Sequence, residues 1–448
     1  MIENFKQTEI DLIPEDWEVV RLGEVIKEVI SGDWGLEEIE GRESENGIVE
    51  CRIIRGTDFP NLEKGIYRGV PIRFIKKPSF EKRALKEGDL LVEISGGSKD
   101  QPTGRIFYIL SSLFEKSDKP LLFTNFVKLL RTNRELVYPE YVYRYWSYIY
   151  SMGRTRIYEK RTTNIRNFKY KDFLSNECLI LPPLSEQQKI ATVLSTIQRA
   201  VEHQDKIIEA ARKLKKSLMH KLFTEGLNGA EQKETEIGRV PKSWDVVKLG
   251  DVVDFTKKLR TLNLSEFKKI PFIPMEMIPI EKLYINNYLL KSSNEITSGV
   301  YCEKGDILLA KITPSFENGK QGIVENIPYD FAFATTEVYP LKPRNNSDKL
   351  FLFYFLIKSD VREAIAGKMQ GTTGRKRVPK EAVENTLIPF PPLPEQQQIA
   401  HILSTVDKKI EIEERRKTTL KELFKTMLHK LMSGEIRLKD REMEKREE

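Results

Sequence analysis

Pro182-Pro-Leu-Ser-Glu-Gln-Gln-Lys-Ile-Ala-Thr-Val-Leu-Ser195 returns 209 residues later as Pro391-Pro-Leu-Pro-Glu-Gln-Gln-Gln-Ile-Ala-His-Ile-Leu-Ser404, with ten identities in fourteen. A proline pair cannot continue a preceding element, so each block marks a boundary, and the stretch after it reads as helix. In the first copy Ile190, Leu194, Ile197, Val201, Ile208, Ala211, Leu218 and Leu222 keep a 4-3 spacing, broken by Gln204 and Lys215. In the second, Ile399, Leu403, Val406, Ile410, Leu420, Phe424, Met427 and Leu431 do the same, broken by Glu413 and Lys417. Apolar heptads sustained this long predict two long helices with a coiled-coil seam, and Gly226 and Gly434 are the expected stops.

Working outward, a second block also repeats. Ile13-Pro-Glu-Asp-Trp17-Glu-Val-Val-Arg-Leu-Gly-Glu-Val25 reappears 227 positions later as Val240-Pro-Lys-Ser-Trp244-Asp-Val-Val-Lys-Leu-Gly-Asp-Val252, with seven identities in thirteen pairs. Between the blocks, Gly88-Asp89 opens a strand-like run matched at Gly305-Asp306, and Thr162-Thr163-Asn164 is matched at Thr372-Thr373-Gly374. The chain is one unit written twice, too long for a solenoid repeat. From tryptophan to Gly-Asp is 71 residues in the first copy and 61 in the second; from Gly-Asp to Thr-Thr is 74 and then 67. The globular filling changed length, yet Pro182 to His220 and Pro391 to His429 are both 38 residues. Paired helices must keep register, so the two are expected to form one antiparallel pair of about 40 residues, roughly 60 Å long. Internal duplication gives approximate two-fold symmetry, which suits a two-sided target such as duplex DNA.

At 448 residues the chain should hold two or three domains with their own cores. Charged residues make up 31%, above the usual quarter, but the net charge is only +7, so nucleic-acid binding would rest on local clusters. Cys51, Cys178 and Cys302 stand alone, which argues against a disulfide framework or zinc site and fits a reducing cytoplasm. The N-terminus has no apolar h-region and no window approaches 18 uncharged apolar residues, so neither an export signal nor a membrane span is expected.

Catalytic signatures are missing. The four histidines, His203, His220, His401 and His429, all fall in the two expected helices, which leaves the globular parts without histidine acid–base chemistry. No nucleotide-binding Gly-x-x-x-x-Gly-Lys-[Ser/Thr] run occurs. The Pro-Pro pairs come after Leu181 and Phe390, not the Asn or Asp of an amino-methyltransferase, and Glu93-Ile94-Ser95 lacks a nuclease lysine. Binding residues are better represented. Arg154, Arg156, Lys160, Arg161, Arg166, Lys169 and Lys171 fall within 18 residues, interleaved with Thr163 and Asn164. The second copy has Lys368, Gln370, Thr372, Thr373, Arg375, Lys376 and Arg377 at the same place in the frame. Lysine and arginine neutralise phosphates, while Arg, Asn and Gln can read base edges in pairs of hydrogen bonds. The run Tyr138, Tyr141, Tyr143, Tyr145, Trp146, Tyr148, Tyr150 reads as helix packing rather than base stacking.

Pro-x-x-Trp with Leu-Gly after it, a variable stretch, a Thr-Thr loop, Pro-Pro-Leu-x-Glu-Gln-Gln and a long helix, all twice, resemble the specificity subunit of type I restriction-modification systems over about residues 13 to 435. The resemblance implies an α+β chain with two mixed α/β target-recognition domains in pseudo-two-fold arrangement, separated by the antiparallel coiled coil. The expected domains are 1–181 and 227–390, the helices 182–226 and 391–436, and a charged tail 437–448. It implies a chain without catalysis of its own, each domain reading half of a bipartite double-stranded DNA target and the helices setting the spacer. Partners would be two modification subunits and a restriction subunit, which use S-adenosylmethionine, ATP and Mg; the chain itself would bind no cofactor. The first recognition domain is longer than the second by 18 residues up to the Pro-Pro pairs, as expected if each reads a different half-site. Two other classes compete: a self-contained DNA-modifying or DNA-cleaving enzyme, which lacks its motifs, and a coiled-coil scaffold, which leaves the paired basic clusters unexplained.

Overall fold

The computed structural model describes residues 5–439 apart from 11, 39–46, 98–100, 163–164, 228 and 373. The chain divides into two compact units, one of Met1–Gln204 with Arg416–Glu448, the other of Asp205–Arg415. Both boundaries fall inside long helices, Leu184–Glu225 and Leu393–Met432, so each helix gives one part to each unit.

In the first unit, Ile26–Ser31, Val127–Thr132, Leu90–Glu93 and Ile106–Tyr108 form an antiparallel four-stranded sheet in that order. Leu121–Phe123, Ile48–Ile54 and Ile72–Lys76 make a mixed three-stranded sheet. The helix Pro139–Ser151 buries Tyr141, Tyr145 and Trp146, so the tyrosine run packs the core, as its helical spacing suggested. The start of the first long helix (Ile190, Leu194) shares this core with Trp17 and with the end of the second (Leu428, Leu431, Met432).

The second unit has a five-stranded sheet, Val253–Phe255, Val338–Pro343, Ile307–Ala310, Gln321–Val324 and Tyr284–Ile285. A four-stranded sheet has the order Leu289–Lys291, Ile270–Ile273, Phe331–Ala334, Val300–Glu303. Here the end of the first long helix (Leu222, Phe223) meets the start of the second (Ile399, Ala400, Leu403) and Trp244. Of the other heptad residues, Ile208 and Ile410 are buried, while Ile197, Val201, Leu218, Val406, Leu420, Phe424 and Met427 are half-buried. The polar breaks in the pattern turn inward as well: Gln204 is 7% exposed and Glu413, ion-paired to Lys409, only 1%.

The repeated motifs build one joint in each unit. Glu18–Arg21 pairs antiparallel with Cys178–Leu181, and Asp245–Lys248 with Leu387–Phe390. The strand then breaks at Pro-Pro and the helix begins. Trp17 Nε1 donates to Glu186 at 3.0 Å, and Trp244 Nε1 to Glu395 at 3.0 Å. Gln187 accepts from the Tyr138 amide at 2.8 Å and donates to the Pro182 carbonyl at 2.8 Å. Gln396 repeats this with the Asp348 amide at 2.9 Å and the Pro391 carbonyl at 2.8 Å. The Glu-Gln pair thus satisfies buried polar groups that a strand-to-helix break would strand. Gly226 and Gly434 end the long helices at φ 68° and 76°, a conformation that favours glycine. A Cβ on Gly434 would lie 2.6 Å from the Pro14 ring.

One expectation is corrected. Arg437 opens the stretch expected to be a charged tail, yet its side chain is 5% exposed and holds Asp16 at 2.8 Å and Glu186 at 2.7 Å. A run of charge looks solvated in sequence; here its first member is drawn in by a buried carboxylate.

Candidate nucleic-acid interface

The basic stretch of the first unit is a hairpin. Glu159–Thr162 pairs with Ile165–Phe168, which pairs in turn with Ser95–Gly96. Phe168 N donates to the Ile94 carbonyl at 2.8 Å, and Ile94 N to the Phe126 carbonyl at 2.9 Å. The second unit repeats the ladder: Val378 N to Lys311 O at 2.8 Å, and Lys311 N to Glu337 O at 3.0 Å. There Gln370 and Arg377 pair across the loop in both directions, at 2.9 and 2.8 Å. Two unlike sequences therefore hang on one backbone frame.

The charges on this frame are not equally available. Arg154 Nε donates to buried Glu177 at 2.7 Å, which raises the guanidinium pKa further. Arg166 is 11% exposed and ion-paired to Glu159 at 3.1 Å. Arg377 clasps Glu337 with two bonds of 2.7 and 2.8 Å; that bond is the largest cause holding the Glu337 carboxyl below its usual value. These three arginines stiffen the frame, and bidentate pairing is what a planar guanidinium does best. Arg156 is exposed. Among the described residues no carboxylate pairs with exposed Lys160, Lys368, Arg375 or Lys376. Gln370 and Thr372 are exposed too, Thr372 accepting the Arg375 amide at 3.0 Å in a turn. Thr163, Asn164 and Thr373, and the side chain of Arg161, lie outside what the structure describes.

The sequence matches the type I restriction modification DNA specificity domain twice, over residues 14–212 and 241–422. The chain belongs to that family. It is 29% identical over 464 residues to the type I restriction enzyme MjaVIII specificity subunit of Methanocaldococcus jannaschii, covering 98% of this chain and 97% of that one. The Escherichia coli type I restriction enzyme EcoAI specificity subunit is 31% identical over 172 residues, 38% of this chain and 28% of the relative. In fold, the type I restriction-modification system S subunit from M. genitalium superposes with a TM-score of 0.55 at 17% identity, over 96% of this chain and 99% of that one.

Within this specificity-family frame the sequence reading found both basic stretches but not the carboxylates that consume part of their charge. It also missed the turn Thr124-Asn125-Phe126, which the same ladder holds beside the hairpin. Its signal was present as Phe-Thr-Asn-Phe-Val in one copy against Ala-Thr-Thr-Glu-Val in the other, a three-residue difference between matched segments. Among the described residues no group of His, Cys, Asp and Glu is arranged to hold a metal, and no helix is long and apolar enough to cross a membrane.

Proposed function

We propose that this chain is the DNA-reading subunit of a type I restriction-modification complex, working in the cytoplasm with two modification subunits and a restriction subunit. Each unit reads one half of a bipartite duplex target; S-adenosylmethionine, ATP and Mg belong to the partners. The observation that carries this reading is the shared ladder bearing divergent outward residues. A constant frame with variable contacts is what reading two different half-sites requires. Lys160, Lys368, Arg375 and Lys376 neutralise phosphates, and the clasped arginines hold the loops to one geometry.

We further propose that the two long helices form an antiparallel coiled coil that sets the spacer between half-sites and docks the modification subunits. Support comes from the reversal within the cores, where the start of one helix meets the end of the other. Arg212 and Glu414 at 2.6 Å and Lys215 and Asp407 at 2.6 Å also link the two helices.

The test inserts one heptad after Ala211 and one after Leu420, keeping the seam continuous. About seven residues at ~1.5 Å add ~10 Å, which at ~3.4 Å per base pair is about three pairs. The variant complex should select, from randomised duplexes, unchanged half-sites with a longer spacer. An unchanged spacer would refute the ruler, and a wild-type complex with no sequence preference would refute DNA reading.

A further inference from the structure

In the first unit we infer that the turn Thr124-Asn125-Phe126 reads a base pair directly, and that its chemistry fits A·T. This rests on the DNA-reading function proposed above and names a contact within it.

Three observations converge. The turn is rigidly mounted: Thr124 N donates to the Ile54 carbonyl at 3.0 Å, and Phe126 O accepts Ile94 N at 2.9 Å, one step along the ladder from the basic hairpin. It is also unsatisfied outward. Phe126 is 55% exposed, and Asn125 is exposed with its carbonyl end held by the Thr124 hydroxyl at 2.9 Å. Among the described residues the Asn125 Nδ2 donates to none. Finally, the turn edges a cleft of about 490 Å³ whose walls include Trp34, Gly56 and Gly96, within the ~300–1,000 Å³ range of ligand sites.

That cleft is built for a base edge rather than a phosphate. Its floor is the Glu93 carboxylate, buried and clasped by Arg105 at 2.6 and 2.9 Å. A Cβ on Gly56 or Gly96 would come within 2.5 or 2.6 Å of that carboxylate, so the walls admit no side chain. Glu93 is thus neutralised within the wall, and Arg55, which also lines the cleft, is held by Asp58 at 2.8 Å, so the lining offers no unpaired cation to a phosphate. An amide beside an exposed ring instead matches adenine N6 and N7 together with the thymine methyl in the major groove. The matched turn of the second unit, Thr335-Thr336-Glu337, sits on the same bonds (Thr335 N to Ile273 O, 2.9 Å) but offers a hydroxyl and a clasped carboxylate. Unlike chemistry at one mounted position is how two half-sites come to differ.

The test is selection from a randomised duplex pool by the full complex, comparing wild type with Asn125→Ala, the isosteric Asn125→Asp, and Phe126→Ala. Each variant should relax a single A·T position in one half-site and bind the original site about five- to hundredfold more weakly, leaving the other half unchanged. Asn125→Asp keeps the shape but exchanges the donor for a charged acceptor, so its readout is the relaxation of one position, and unchanged reading of the other half-site shows that the variant is folded. An unchanged profile, or a uniform loss on all sequences with a shallower salt dependence, would overturn the assignment while leaving the subunit a DNA reader.

Discussion

The two strand-to-helix joints carry the same residues and differ in how they are finished. In the second unit Glu395 is half-exposed; it takes the Trp244 indole at 3.0 Å and the Leu227 amide at 3.5 Å. In the first, Glu186 is 2% exposed and takes the Trp17 indole, two bonds from Arg437 at 2.9 and 2.7 Å, and the Leu438 amide at 2.8 Å. A half-exposed carboxylate can lean on water. A buried one needs a counter-charge, and here it comes from 251 residues further along the chain. One motif therefore tolerates two degrees of closure, set by what the chain brings over it.

Removing Arg437 should break the contrast most. Arg437→Ala leaves Glu186 buried without its cation, and should cost the first unit about 3–5 kcal/mol, read as lost hydrogen-exchange protection around residues 12–25 and 178–194. Equal loss in the second unit would mean the joints are not independent. Next comes the glycine pair. Gly434→Ala meets a rigid proline ring at 2.6 Å, whereas Gly226→Ala first meets the Glu395 carboxylate at 3.0 Å. Both suffer positive φ, roughly 1–3 kcal/mol, but Gly434→Ala should sit at the upper end in denaturant titration. Trp17→Phe and Trp244→Phe each delete one indole bond, about 1 kcal/mol, and similar midpoint shifts would show that this part of the joint is equivalent. Acid gives the mildest effect near neutrality. Burial pushes the Glu186 carboxyl up, but hydrogen bonds from Arg437, Leu438 and Trp17 outweigh it and leave its pKa below the ordinary 4.5. A lowered carboxyl stabilises the fold above its unfolded value and loses that contribution as pH falls through its folded one. The first unit should therefore hold its stability from pH 7 to about 5 and lose it below 4.5. A loss between pH 7 and 6 would point to a different group.

Much of this was legible because duplication repeats constraints. The Pro-Pro breaks, both long helices and the glycine stops come from periodicity and from pairs of matching blocks, whereas the burial of Trp17 and Trp244 emerged only in the structure. What the motif does was not legible: Glu186 and Gln187 act on Trp17 and Tyr138, far off in sequence, and periodicity carries no information about such partners. The basic stretches were seen as charge, but Glu159, Glu177 and Glu337 neutralise Arg166, Arg154 and Arg377 through tertiary contact alone. Asn125 and Phe126 escaped because a short turn between buried strands looks like punctuation until its backbone bonds show where it faces.

Arg437 and Asp16 are 421 positions apart, yet they close one unit. On a ribosome this inverts the order of completion. Residues 205–415 form the second unit from a continuous stretch and can finish once they emerge. The first unit, begun earlier, waits for residues 416–439 before Trp17 and Glu186 are covered. Its nascent core stays open through the synthesis of its sibling, exposed to chaperones and proteases for most of the chain's birth.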